Sequence, residues 1–228
     1  VTTETPTPAG RQSSESPARS RYRIRFGKAG PLRYTSHLDL ARTWERLLRR
    51  AGLPLVYSQG FNPRPKMQLA AALPLGYAST AEVLDIWLEG NVPEPEAMLP
   101  RLREVAPEGL SVEDVEVVDL RGPALQTLTR SATYEIVVGD AIDRAALAER
   151  VEALLARSEI WRERRGKRYN LHPLIHAITV LPGDRPRLRV ELSLSQQEGT
   201  GRPDEVLDAL GLDALVAHIT RTAITFGA

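Results

Sequence analysis

The chain has 228 residues, of which 42% are hydrophobic and 26% charged, with a formal net charge of +1. That composition fits a soluble, core-forming protein of one large domain or two small ones. It contains no cysteine, which excludes disulfides, cysteine-ligated zinc and an iron–sulfur cluster held by this chain.

No apolar run approaches the roughly 18 residues that span a bilayer. No signal-peptide core precedes the first expected strand, so a cytoplasmic location without a membrane partner is expected. The near-neutral total hides two opposed segments. Between Arg21 and Lys66 eleven Lys/Arg face only Asp39 and Glu45, a net +9, and between Glu82 and Asp119 eleven Asp/Glu face only Arg101 and Arg103, a net −9. A basic segment points to a polyanion partner, or else to pairing with the acidic segment within the fold.

Residues 1–20 are rich in Thr, Pro, Ser and Glu and read as a disordered tail. Arg21–Phe26 alternates, with Tyr22, Ile24 and Phe26 on one face and three arginines on the other, as a half-buried strand does. Ser36 then suits a helix N-cap that Asp39 answers three residues on. Leu40, Ala41, Trp44, Leu47, Leu48 and Ala51 draw the apolar stripe of that helix. Arg42, Arg46 and Arg49 share another face, and Gly52 suits the position just past its end.

Leu53–Tyr57 and Gln68–Leu73 read as strands, as does Val83–Leu88. Pro95–Val105 reads as a helix with Met98, Leu102 and Val105 inward, and Leu110–Val118 as a strand. A linker is expected over 121–131. After it come a strand at Tyr134–Val138, a helix at Arg144–Ala156 and a hairpin of Leu174–Leu181 with Leu188–Leu194. A short helix at Asp204–Leu210 and a strand at His218–Phe226 follow. The order predicts an α+β protein of two tandem ferredoxin-like βαββαβ halves, 21–120 and 132–228, with antiparallel sheets.

No phosphate-binding glycine motif and no nucleophile-elbow motif is present. No metal and no cofactor is expected, since Pro173 interrupts the one close histidine pair, His172 and His176. His37 lies in the first turn of its helix beside Ser36 and near Arg33. The group either binds an anion at the helix N-terminus, or acts through His37 as a general acid or base, or simply caps the helix. In Gly60–Lys66, Phe61 either stacks on a base while Asn62, Arg64 and Lys66 hold the backbone, or it plugs the core. Arg164, Arg165, Lys167 and Arg168, between Trp161 and Tyr169, read as a second nucleic-acid contact or as a solvated hairpin.

The block Arg33–Arg42 (RYTSHLDLAR), followed by Tyr57–Lys66 (YSQGFNPRPK), closely resembles the radical SAM-associated (radical SAM-linked) protein family of unknown function. Pro74-Leu75-Gly76, Glu82, Asn170–Ile175 and Gly201–Leu207 fit its pattern, although Asn170 and His172 stand where an aspartate and an arginine are expected. The resemblance covers roughly Arg21–Phe226 and implies a stand-alone accessory domain acting beside a radical SAM enzyme. Gene neighbourhoods of that family imply an RNA setting, tRNA or rRNA. In element order the chain is also similar to CRISPR repeat-processing endoribonucleases, without their glycine-rich loop. The function expected is therefore RNA binding through Arg33, Ser36, His37, Arg42, Arg46, Phe61, Asn62, Arg64 and Lys66. The alternatives are a protein–protein adapter docking on the enzyme and a metal-independent endoribonuclease.

Overall fold

Alternation sets the first strand, β1 (Arg19–Lys28), whose Tyr22, Ile24 and Phe26 are buried. The computed structural model describes residues 18–139 and 141–227. The expected tail therefore lies outside the described residues up to residue 17, while Arg19 and Ser20 belong to β1.

A 3-10 turn at Gly30–Tyr34 leads into α1 (His37–Arg50). Its Leu40, Trp44, Leu47 and Leu48 recur at helical spacing and are all buried. Trp44 meets Phe26 edge-on, with ring centroids 4.9 Å apart. Each such fully buried side chain contributes about 1.5–3 kcal/mol before ordering costs. Gly52, at φ +68°, closes the helix in the left-handed region.

β2 (Met67–Leu69), β3 (Ala78–Glu89), α2 (Pro95–Val105) and β4 (Leu110–Val118) follow. Met98 and Leu102 of α2 join the α1 stripe over β1, β3 and β4 in one core. Leu53–Tyr57, expected as a strand, forms only isolated bridges, Leu55 to Leu88 and Tyr57 to Pro65. Pro54 has no N–H to give a ladder, and the chain turns back on itself too soon for a longer one.

The short helix α3 (Leu125–Leu128) occupies part of the expected linker, and β5 (Thr129–Val137) begins within it. Next come α4 (Arg144–Leu155), the ribbon of β6 (Trp161–Arg164) and β7 (Lys167–Asn170), and the pair β8 (Ile175–Leu181) and β9 (Arg187–Ser195). β10 (Gly199–Thr200), α5 (Pro203–Ala209) and β11 (His218–Phe226) complete the chain.

The fold is mixed α+β around one large, mostly antiparallel sheet. Its order is β10-β9-β5-β11-β3-β1-β4, with β2 also on β3 and β8 also on β9. Separate sheets for the two halves were expected. Instead β11 runs parallel to β3 through Thr220–Ala78 and Arg221–Ser79, joining them into one. A second core packs α4 and α5 on β5, β8 and β9, and Leu73 and Tyr77 reach into it from the first half.

The arginine face of β1 is not the solvated face that alternation suggests. Arg21 is 2% exposed because residues 119–125 cross over it, and it donates to the Gly122 and Pro123 carbonyls at 2.9 Å each. Buried Asp85 on β3 accepts from Arg21 at 2.6 Å and from Arg23 at 2.9 Å. A buried carboxylate is stable there because two cations and a set of carbonyls complete the pairing.

Candidate nucleic-acid interface

Ser36 caps α1, its hydroxyl oxygen accepting from the Asp39 backbone N–H at 3.1 Å and its O–H donating to Asp39 Oδ2 at 2.7 Å. The Ser36 hydroxyl, with Arg42 at 3.2 Å beside it, holds the Asp39 carboxyl below its usual range. The first turn thus already contains a carboxylate, and an anion arriving at Ser36 and His37 meets like charge. His37 is exposed and makes no side-chain hydrogen bond among the described residues, so nothing there orients it as an acid or base. The expected anion site at the helix N-terminus is occupied by the protein's own acid.

Arg33 is also used internally. Its Nε donates to the Gly76 carbonyl at 2.8 Å, and its own carbonyl accepts from the Gly76 N–H at 2.8 Å. That clamp fixes the path of residues 70–77 toward the second half.

The loop after α1 is closed at its base. Ser58 N–H donates to the Arg64 carbonyl at 2.8 Å, Arg64 N–H to Ser58 Oγ at 3.0 Å, and Lys66 N–H to the Val56 carbonyl at 2.7 Å. Buried Pro65 anchors this base, and Gly60 at φ +136° makes the turn that side chains disfavour. Phe61, next to that glycine, is fully exposed and packs on no core, so the plug reading fails. Asn62 is exposed beside it.

Loop and helix lie together. Arg64 reaches Glu45 of α1 at 3.9 Å, and Arg49 stands 5.8 Å over the Tyr57 ring. The ammonium of Lys66, an exposed residue, sits 4.5 Å over the buried Trp87 ring. Of the eleven cations between Arg21 and Lys66, four are engaged inside the fold, Arg21 and Arg23 on Asp85, Lys28 and Arg33, and Arg25 stands in a surface pair 3.7 Å from Glu116. Arg42, Arg46, Arg49, Arg50, Arg64 and Lys66 remain exposed around Phe61's loop and α1. The acidic segment therefore neutralises the strand arginines and leaves the helix and loop cations displayed.

The second basic cluster divides differently. Arg164 grips Glu205 at 2.9 Å through Nε and at 2.5 Å through Nη2, and donates to the Thr200 carbonyl and the Tyr169 hydroxyl. It is a structural tie between the ribbon and α5, and correcting its expected role removes it from the interface. Arg168 stacks 4.5 Å over exposed Trp161, and Arg165 and Lys167 are exposed at the ribbon's end.

The sequence reading missed the polar cluster where the halves meet. Arg221 of β11 and Glu82 of β3 pair through two bonds of 2.8 Å. Lys28, also buried, donates to the Thr35 carbonyl at 3.0 Å, and burial pushes its ammonium below the usual value. The signal was one of parity. Glu82 extends the line of Leu84, Ile86 and Leu88, and Lys28 extends that of Tyr22, Ile24 and Phe26. Charges in register with apolar runs mark buried pairs.

A family profile described as "Uncharacterized protein conserved in bacteria (DUF2344)" matches residues 21–203. The chain belongs to this family. No curated protein matches it. Among solved structures it is similar to the crystal structure of a Cbf5-Nop10-Gar1 complex at 12% identity and a TM-score of 0.47. That match covers 89% of this chain and 48% of the other. It is similar, too, to an H/ACA RNP bound to a substrate RNA containing 2'-deoxyuridine, at 13% identity and a TM-score of 0.43, covering 88% and 46%. The chain thus spans about half the length of these two chains. Among the described residues no helix is long and apolar enough to cross a membrane.

Proposed function

We propose that this DUF2344 member binds single-stranded RNA across α1 and the Ser58–Lys66 loop and serves as an accessory module, without catalysis of its own. The observation that carries the reading is the fully exposed Phe61 in a loop braced at its base that also carries exposed Arg64 and Lys66. An exposed phenylalanine has no packing role, whereas a base stacked on it is worth about 1–3 kcal/mol. Arg42, Arg46, Arg64 and Lys66 supply charge for the backbone, a sequence-independent and salt-sensitive contribution. The radical SAM enzyme as working partner rests on the resemblance of the Arg33–Lys66 block. Two tandem ferredoxin-like halves are part of the same reading. Strand orders β4-β1-β3-β2 and β11-β5-β9-β8, each with two helices, support them.

The test is fluorescence anisotropy with a labelled single-stranded RNA at several salt concentrations. Binding that weakens as salt rises, and weakens further in Phe61→Ala, supports the reading. RNA affinity undetectable at low salt removes it. Co-purification of a partner protein that survives RNase and depends on the same cations would turn the surface into an adapter instead.

A further inference from the structure

A groove of about 600 Å³ lies between the halves, away from the α1 loop. Residues 72–75 and Tyr77 line it from the first half, and Tyr134, Arg202, Asp204 and Leu215 from the second. The polar atoms of its tyrosines are already engaged. Tyr77 donates its hydroxyl to Asp204 Oδ1 at 3.0 Å, and the Tyr134 hydroxyl bonds Arg221. Asp204 is held in turn by Arg202 through Nε and Nη2, both at 3.0 Å. Both rings are buried, at 8% and 3% exposure, so what the groove offers a ligand is aliphatic surface. Leu75 and Leu215 on its lining are 62% and 93% exposed, with nothing covering them.

Arg165 supplies the charge. It lines the same groove, is exposed, and makes no hydrogen bond or ion pair among the described residues. It also sits at φ +53°, with Gly166 at φ +74°, in the two-residue turn between β6 and β7. Such a turn favours Asn or Asp at its first position, and an arginine there is strained. An unpartnered cation on the lining of an apolar groove is placed to meet an anion.

We propose that this groove binds one nucleotide, its base against Leu75 and Leu215 and its phosphate on Arg165. The volume falls in the range of about 300–1,000 Å³ typical of small-molecule sites. A base has a flat face for such walls, and a guanidinium forks onto phosphate oxygens. The nucleotide is either free or the 5′-phosphorylated end of an RNA.

Calorimetric titration of the full chain with AMP, GMP, CMP and UMP, beside anisotropy with 5′-phosphorylated and 5′-hydroxyl RNA, tests this. Arg165→Asn suits the turn and keeps the fold, so it is expected to melt no lower than the parent while losing at least about tenfold in affinity. Leu215→Asp, at an exposed position, is expected to weaken binding as well. Arg165-dependent binding of a mononucleotide identifies the free ligand, and Arg165-dependent preference for the phosphorylated RNA identifies the RNA end. Either result supports the site. No saturable binding of any nucleotide or phosphorylated RNA at millimolar concentration, or binding indifferent to both substitutions, overturns it. Phe61→Ala separates the two surfaces: it is expected to leave mononucleotide binding intact even where it abolishes RNA binding along α1.

Discussion

Arg221 Nε and Nη2 meet the two Glu82 carboxylate oxygens at 2.8 Å each, and neither side chain is more than 2% exposed. The pair sits where β11 runs beside β3, so it ties the two halves at their shared strand boundary. Removing one partner leaves the other charge buried without compensation. Glu82→Gln or Arg221→Ala is expected to cost about 3–5 kcal/mol in urea unfolding. The double variant Glu82→Leu/Arg221→Met is expected to recover most of that loss. A single variant within about 0.5 kcal/mol of the parent would show that water reaches the pair.

Tyr77 and Tyr134 make stability pH-dependent at the alkaline end. Burial raises both phenols above their ordinary value, and Asp204 beside Tyr77 pushes in the same direction. Above about pH 10 the unfolded chain loses these protons while the fold keeps them. The native state then binds more protons, so stability present below pH 10 is lost as pH rises beyond it, by up to about 1.4 kcal/mol per pH unit for each group. Tyr77→Phe and Tyr134→Phe are expected to flatten the decline between pH 10 and 11.5 in denaturant titrations. An unchanged slope in both variants would contradict the burial argument.

Phe61→Ala is expected to leave the melting temperature unchanged, because the ring buries nothing. RNA affinity should fall about 5- to 100-fold, matching one lost stacking contact. Arg46→Ala and Arg64→Ala should each reduce the slope of log affinity against log salt by about 0.7. Equal affinities for parent and all three variants would place the RNA elsewhere.

Ser36→Ala separates capping from ligand binding. Losing the cap on Asp39 N–H is expected to cost about 1 kcal/mol in thermal unfolding with no change in RNA affinity. A tenfold drop in affinity without destabilisation would restore the anion site at the helix N-terminus.

Local pattern was enough for α2 and β4, whose bounds, Pro95–Val105 and Leu110–Val118, are those that proline placement and alternation suggest. The same held for β11, at His218–Phe226. It failed at Leu53–Tyr57, where apolar content imitates a strand but Pro54 allows only single bridges. The exposed loop tip was legible at Phe61 and Gly60, where an aromatic sits among turn residues. The site was illegible where partners are distant. Nothing near Arg164 announces Glu205, 41 residues on, and nothing near Glu82 announces Arg221, 139 residues on. Parity with an apolar run marks a charge as buried, but a short window does not say which distant residue will pair with it.

The parallel contact of β11 with β3 bears on synthesis. β4 ends at Val118 and β11 starts at His218, so the first half emerges from the ribosome well before its neighbour strand exists. During that interval β2 covers Leu84–Ile86 of this β3 edge, and at Ala78 and Ser79 the side that meets β11 is open. An apolar residue at position 82 would make this open edge a template for other nascent chains. A hydrated glutamate repels them until Arg221 arrives. A charge at position 82 thus suits an open strand edge as well as the finished pair.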